Sequence, residues 1–73
     1  LGDYSLYQEA FVLGLQKDYL GKIHVLNKLI GEYPTSQYQD DALYERGRAY
    51  VMMEDNSRAI DSFRELLKEF GGA

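Results

Sequence analysis

The side chains able to do chemistry are few: one histidine, His24, a pair of adjacent carboxylates, Asp40 and Asp41, and seven tyrosines with three phenylalanines in 73 residues. A metal site or a nucleophilic centre needs several ligands, or a nucleophile with its base, converging on one point. His24 has Gly21, Asn27 and Lys28 around it and no second ligand at helical spacing, so it reads as a surface imidazole. Adjacent residues on a helix point away from one another, which removes Asp40 and Asp41 as an acid/base pair. Their charge suits the positive end of a helix dipole. Glu45 with Arg48, and Arg64 with Glu65 or Lys68, read as solvated helix-face charges worth a few tenths of a kcal/mol, about 0.2–0.5 each. Met52 and Met53 read as one core and one groove residue rather than a functional methionine patch. Catalytic residues, metal ligands and a cofactor are therefore not expected.

The tyrosines differ in kind. A ring with a polar tip combines apolar contact area with hydrogen bonding, and Tyr and Arg are enriched among residues that dominate protein interfaces. The bland alternative is that the rings pack on a neighbouring element or on a second copy. A net charge of −4 sets the chain against nucleic-acid phosphates and anionic lipid heads. The absence of cysteine excludes disulfides and thiolate metal sites. No apolar run approaches the roughly 20 residues of a membrane span, so direct membrane insertion is not expected. The start at Leu1 without Met and the Gly71-Gly72-Ala73 end read as a mature or excised piece. At 73 residues one core is only marginally sufficient, which makes help from outside the chain an expectation.

The elements that must position these residues are helical. Leu6, Ala10 and Leu13 form one stripe and Tyr4, Tyr7, Phe11 and Leu15 another, at steps of three and four, over about 4–16 with Asp3 as N-cap. Asp18 caps a second helix over about 19–32, carried by Leu20, Ile23, Leu26, Leu29, Ile30 and Tyr33. Pro34 cannot donate a hydrogen bond and pushes Tyr33 out of the α region, ending it. Ser36 followed three residues later by Gln39 has the form of a capping box. A third helix follows over about 38–53, with Leu43, Gly47, Tyr50 and Met53 on one stripe. Asp55 caps a fourth, marked by Ala59, Ile60, Phe63, Leu66, Leu67 and Phe70 and closed by Gly71-Gly72. No segment alternates with period two, so the expected class is all-α with four helices.

A shift of 37 residues superimposes Asp3 on Asp40, Leu6 on Leu43, Tyr7 on Tyr44, Ala10 on Gly47, Asp18 on Asp55, Ile23 on Ile60 and Ile30 on Leu67. A helix-turn-helix unit repeated at this period is the mark of an α-solenoid. Leu43, Gly47, Tyr50, Ala59 and Phe63, with Pro34 closing the first copy, resemble the tetratricopeptide repeat pattern. The departures are Arg46 where a Leu is expected, Lys22 where the second copy has Ala59, and Gly71 in place of a final proline; Gly21 is the candidate small contact of the first hairpin. The resemblance implies repeat one at about 3–36 and repeat two at about 37–73 in a single domain. It also implies a concave face built by the first helix of each hairpin, here Tyr4, Tyr7, Phe11, Leu15, Asp41, Tyr44, Arg48, Val51 and Met52. Tyr7, Phe11 and Tyr44 stand where the chaperone-binding branch carries its carboxylate clamp, so that activity is not implied.

The segment Glu32-Tyr33-Pro34-Thr35-Ser36-Gln37-Tyr38 is similar to the linker of bacterial envelope tetratricopeptide proteins, of the outer-membrane assembly lipoprotein and Tol-Pal-associated types. That similarity implies a periplasmic or cell-envelope setting. The function expected is a non-enzymatic scaffold presenting an aromatic groove to a peptide or helix of a partner protein. The alternative is a self-assembly element, a homo-oligomer or part of a longer array, because two repeats are fewer than a solenoid usually needs.

Overall fold

The computed structural model describes residues 2–70, the side chain of Phe70 excepted. They form α1 (Gly2–Leu15), α2 (Tyr19–Glu32), α3 (Gln39–Met52) and α4 (Asn56–Phe70), with no strand among the described residues. The expected Gly71-Gly72 stop lies outside the described residues.

The two hairpin turns are built alike. Lys17 at φ 61° and Glu54 at φ 60° take the left-handed conformation that ends α1 and α3. In the first, Asp18 N–H donates to Leu13 O at 2.9 Å and Lys17 N–H to Gly14 O at 3.0 Å; in the second, Asp55 N–H donates to Tyr50 O and Glu54 N–H to Val51 O, both at 2.9 Å. This paired bonding satisfies the last carbonyls of each helix. The next residue then starts the following helix: the Asp18 carboxylate accepts from Gly21 N–H at 3.0 Å and that of Asp55 from Arg58 N–H at 3.3 Å. Three residues thus reverse the chain, which forces the two helices of each hairpin to lie antiparallel.

The seam between the hairpins differs from the sequence expectation in two ways. Tyr33 leaves the helix at φ −129°, ψ 62° ahead of Pro34, as the proline requires. Ser36 and Gln39, however, do not form a capping box. Ser36 Oγ accepts from Tyr38 N–H at 3.0 Å, while the Gln39 amide turns back and donates to Ile30 O at 3.1 Å and Tyr33 O at 2.9 Å. Gln39 is buried, and its amide closes the Ile30 carbonyl that Pro34 leaves open and adds a second bond to Tyr33 O, which also accepts from Ser36 N–H at 3.0 Å. Asp3 is not an N-cap either, since α1 begins at Gly2. Its carboxylate accepts from Ser36 Oγ at 2.6 Å and ties the first turn of α1 to the seam.

The helices pack in succession, α1 on α2, α2 on α3 and α3 on α4, in a slab with Cα extents of 36 × 32 × 15 Å. Ala10, Val25, Leu26, Leu29 and Ala42 form the core, with Leu6, Tyr7, Leu13, Ile30 and Tyr38 packed against it. Leu26, Leu29 and Leu43 are fully buried, and each contributes about 1.5–3 kcal/mol by leaving water. Gly47 lets α3 approach α4, for a Cβ there would enter the ring of Phe63. In the first hairpin the small contact is Gly14 rather than Gly21. Lys22 lies across Gly14, whereas a side chain at Gly21 would run first into the α2 cap, Asp18. Leu20 and Met53 are exposed, so neither belongs to the core stripe assigned to it from spacing.

Candidate functional site: a groove lined by three helices

A concavity of about 320 Å³ opens over α1, α2 and α3. α1 gives it Tyr7, Phe11 and Leu15, spaced at one turn each, and α3 gives it Arg48 and Met52, again one turn apart. Tyr19, Lys22 and Leu26 of α2 close its floor with Ala10, Gly14, Glu45 and Ala49. Small residues under large exposed ones make the hollow. Ala10 and Ala49 are buried, while Phe11, Leu15 and Met52 are more than half exposed.

Of the nine residues expected on the concave face, the structure brings five together in the groove: Tyr7, Phe11, Leu15, Arg48 and Met52. The other four do not line it. Tyr4 packs on Tyr38 at 5.8 Å between ring centroids, and Tyr44 turns toward α4, its ring 6.1 Å from that of Phe63. Val51 is exposed on the same helix, one turn from Gly47 and two from Tyr44. Asp41 lies outside the lining, close enough to Tyr7 for its charge to act there. Burial, then the charges of Asp40 and Glu45, push its carboxyl above the ordinary range. The Tyr7 hydroxyl is raised for the same reasons, burial first and then the charges of Asp41 and Glu45. Tyr7 is further fixed by stacking on Tyr38 at 5.0 Å.

Two features escaped the sequence reading. Lys22 Nζ meets Glu45 Oε1 at 2.8 Å with only 13% and 28% of their side chains exposed, so the groove floor carries an ion pair joining α2 to α3. Glu45 therefore pairs across the hairpins and not with Arg48, whose guanidinium lies 5.9 Å from the centre of the Tyr44 ring. The second is Arg46. It donates to Ser62 Oγ at 3.0 Å, Asn27 Oδ1 at 2.8 Å and Glu65 Oε1 at 2.9 Å, binding α2, α3 and α4 together. The only available signal was the departure of both residues from the repeat pattern, which marks a position without naming its partner. Glu65 is thus engaged by Arg46, not by Arg64.

Among the described residues no group of three His, Cys, Asp or Glu side chains could hold a metal ion, and His24 is exposed. The arrangement offers a surface for contact: aromatic and thioether side chains around a paired polar floor. A family model described as the tetratricopeptide repeat matches residues 4–36 and again 41–73. The chain belongs to the tetratricopeptide repeat family. Comparisons with curated proteins and with solved structures give no significant match. The second tetratricopeptide match begins 37 residues after the first, the offset at which the two hairpin turns and their caps recur. Such repeats form a helical-hairpin interaction fold, which accords with a groove made of contact residues.

Proposed function

We propose that this tetratricopeptide protein is a non-enzymatic scaffold whose groove over α1, α2 and α3 receives a peptide or helix of a partner protein. The observation that supports this is the exposure of Phe11, Leu15 and Met52 around one hollow whose floor carries the Lys22–Glu45 ion pair. Apolar side chains held in water around a preformed concavity gain about 25 cal/mol per Å² when a partner covers them. The groove is about 320 Å³, at the small end of ligand-binding cavities, and suits one or two large side chains of a partner segment. The test is a peptide-display selection on the native chain, followed by binding to a Phe11→Glu/Met52→Glu variant. Selected peptides should bind the variant at least about tenfold more weakly. Peptides that bind both equally would place recognition elsewhere.

The setting we propose is the bacterial cell envelope, in the manner of the outer-membrane assembly and Tol-Pal-associated tetratricopeptide proteins. What supports it is the Tyr33-Pro34-Thr35-Ser36 seam and the 37-residue spacing. No helix among the described residues is long and apolar enough to cross a membrane. Fractionation of cells expressing the full-length gene with an epitope tag tests it, and a cytoplasmic distribution would refute it.

A second reading has its own observation. Ile23 of α2 is 6% exposed and its counterpart in α4, Ile60, is 50% exposed, with Leu67 bare two turns further along the same face. The outer side of the second hairpin is therefore suited to further protein, either additional repeats or another copy of the chain.

A further inference from the structure

The first hairpin displays what covers a hairpin of this protein. α3 lies against it, burying Leu26 completely, seating Tyr38 on Tyr7 and donating from Arg46 to Asn27 at 2.8 Å. The second hairpin repeats the first at a 37-residue offset down to its left-handed turn residue and its capping aspartate. On it, Tyr44, Ile60, Arg64 and Leu67 hold the places of Tyr7, Ile23, Asn27 and Ile30, and all four are exposed.

The complementary face sits at the other end of the molecule. α3 meets the first hairpin through Ala42 and Ala49, both buried, and through Arg46. The residues of α1 at the same offset are Ser5, Val12 and Glu9, and all three are exposed. Small Ser5 stands for small Ala42, apolar Val12 for Ala49. At the polar contact the pair becomes Glu9 with Arg64 in place of Arg46 with Asn27. Neither Glu9 nor Arg64 has an ion-pair partner among the described residues.

We propose that a second copy of this chain docks head to tail, the outer face of α1 in one copy covering the α3–α4 face of the other with Glu9 against Arg64. The proposal rests on the second reading above and is independent of the groove. A twofold contact through α4 fits less well. Arg64 lies between Ile60 and Leu67, so an antiparallel α4 pair would bring it against its own copy and leave the α1 face unused. A head-to-tail contact does not close on two copies, and it yields a concentration-dependent series of oligomers.

Sedimentation velocity on the 73-residue chain from micromolar to millimolar concentration tests this with two exposed charge reversals, Glu9→Arg and Arg64→Glu, each checked for native helicity. Each alone should weaken association at least about tenfold. An equimolar mixture of the two should restore it, since every junction then pairs opposite charges. A wild-type chain that stays monomeric throughout would overturn the proposal together with the second reading. A closed dimer abolished by Ile60→Glu but untouched by Glu9→Arg would overturn the head-to-tail contact and leave a covered α4 face standing.

Discussion

Arg46 is the residue on which the joint between the hairpins depends, and Arg46→Ala is the perturbation that shows it. The guanidinium makes three hydrogen bonds, to Ser62 in α4, Glu65 in α4 and Asn27 in α2, with only 15% of its side chain exposed. The bond to the buried Ser62 hydroxyl is worth about 1 kcal/mol, because its loss leaves the Ser62 oxygen a desolvated acceptor without its donor. Glu65 is 43% exposed, so its ion pair is discounted for screening to about 0.5 kcal/mol, and the exposed Asn27 contributes about as much. Removal of the three-carbon stem, packed between helices, adds about 1 kcal/mol. The sum is about 3 kcal/mol, a large part of the stability of a small domain. Urea denaturation followed by circular dichroism measures it directly, at constant m value. Arg46→Met keeps the stem and should recover about 1 kcal/mol of the loss. A change below about 0.5 kcal/mol for Arg46→Ala would mean that the three bonds are replaced by water at no cost, and the account of the joint would fail.

Other outcomes follow from the same contacts. Gly47→Ala, which drives a methyl into the Phe63 ring, should destabilise by about 1–3 kcal/mol in the same denaturation assay. Glu54→Gly, at an exposed left-handed position, should stabilise by about 0.5–1 kcal/mol, raising the thermal midpoint. Asp41 is harder to ionise in the folded chain than free, through burial and then Asp40 and Glu45, so its charge opposes folding above its raised pKa. Asp41→Asn should therefore raise the midpoint at pH 7, and thermal melts should show the difference vanishing as pH falls below the ordinary carboxylate value. Asp3 is the opposite case: the Ser36 hydroxyl, its largest influence, lowers its pKa below 3.8. The stabilisation is present above that value and lost as pH falls through the lowered one, and Ser36→Ala should flatten this acid limb in a pH series of melts.

The four helices were legible because their causes are local. Pro34, Asp18 and Asp55 act on the backbone within a few residues, and apolar spacing within each helix marks the buried stripe. The repeat was legible as identity at a fixed offset, which needs no coordinates. The seam was misread at Ser36 and Gln39 because the capping-box pattern is also local, while the Ile30 carbonyl, left without a donor by Pro34, competed for the same amide. The groove was legible in part. Tyr7, Phe11 and Leu15 followed from one helix face, but Tyr44 was misplaced, since whether a ring on α3 faces α1 or α4 depends on the angle between helices.

By itself, then, the sequence determined the helices, their ends and the twofold repetition, all set by interactions a few residues long. Which charge meets which was decided by the tertiary structure alone. Lys22 with Glu45 and Arg46 with Asn27 and Ser62 lie 16 to 23 residues apart, and each looks like a flaw in the repeat until the helices are packed. A pairing across helices depends on their relative rotation and depth, to which every buried side chain between them contributes. No spacing along one strand of text carries that quantity.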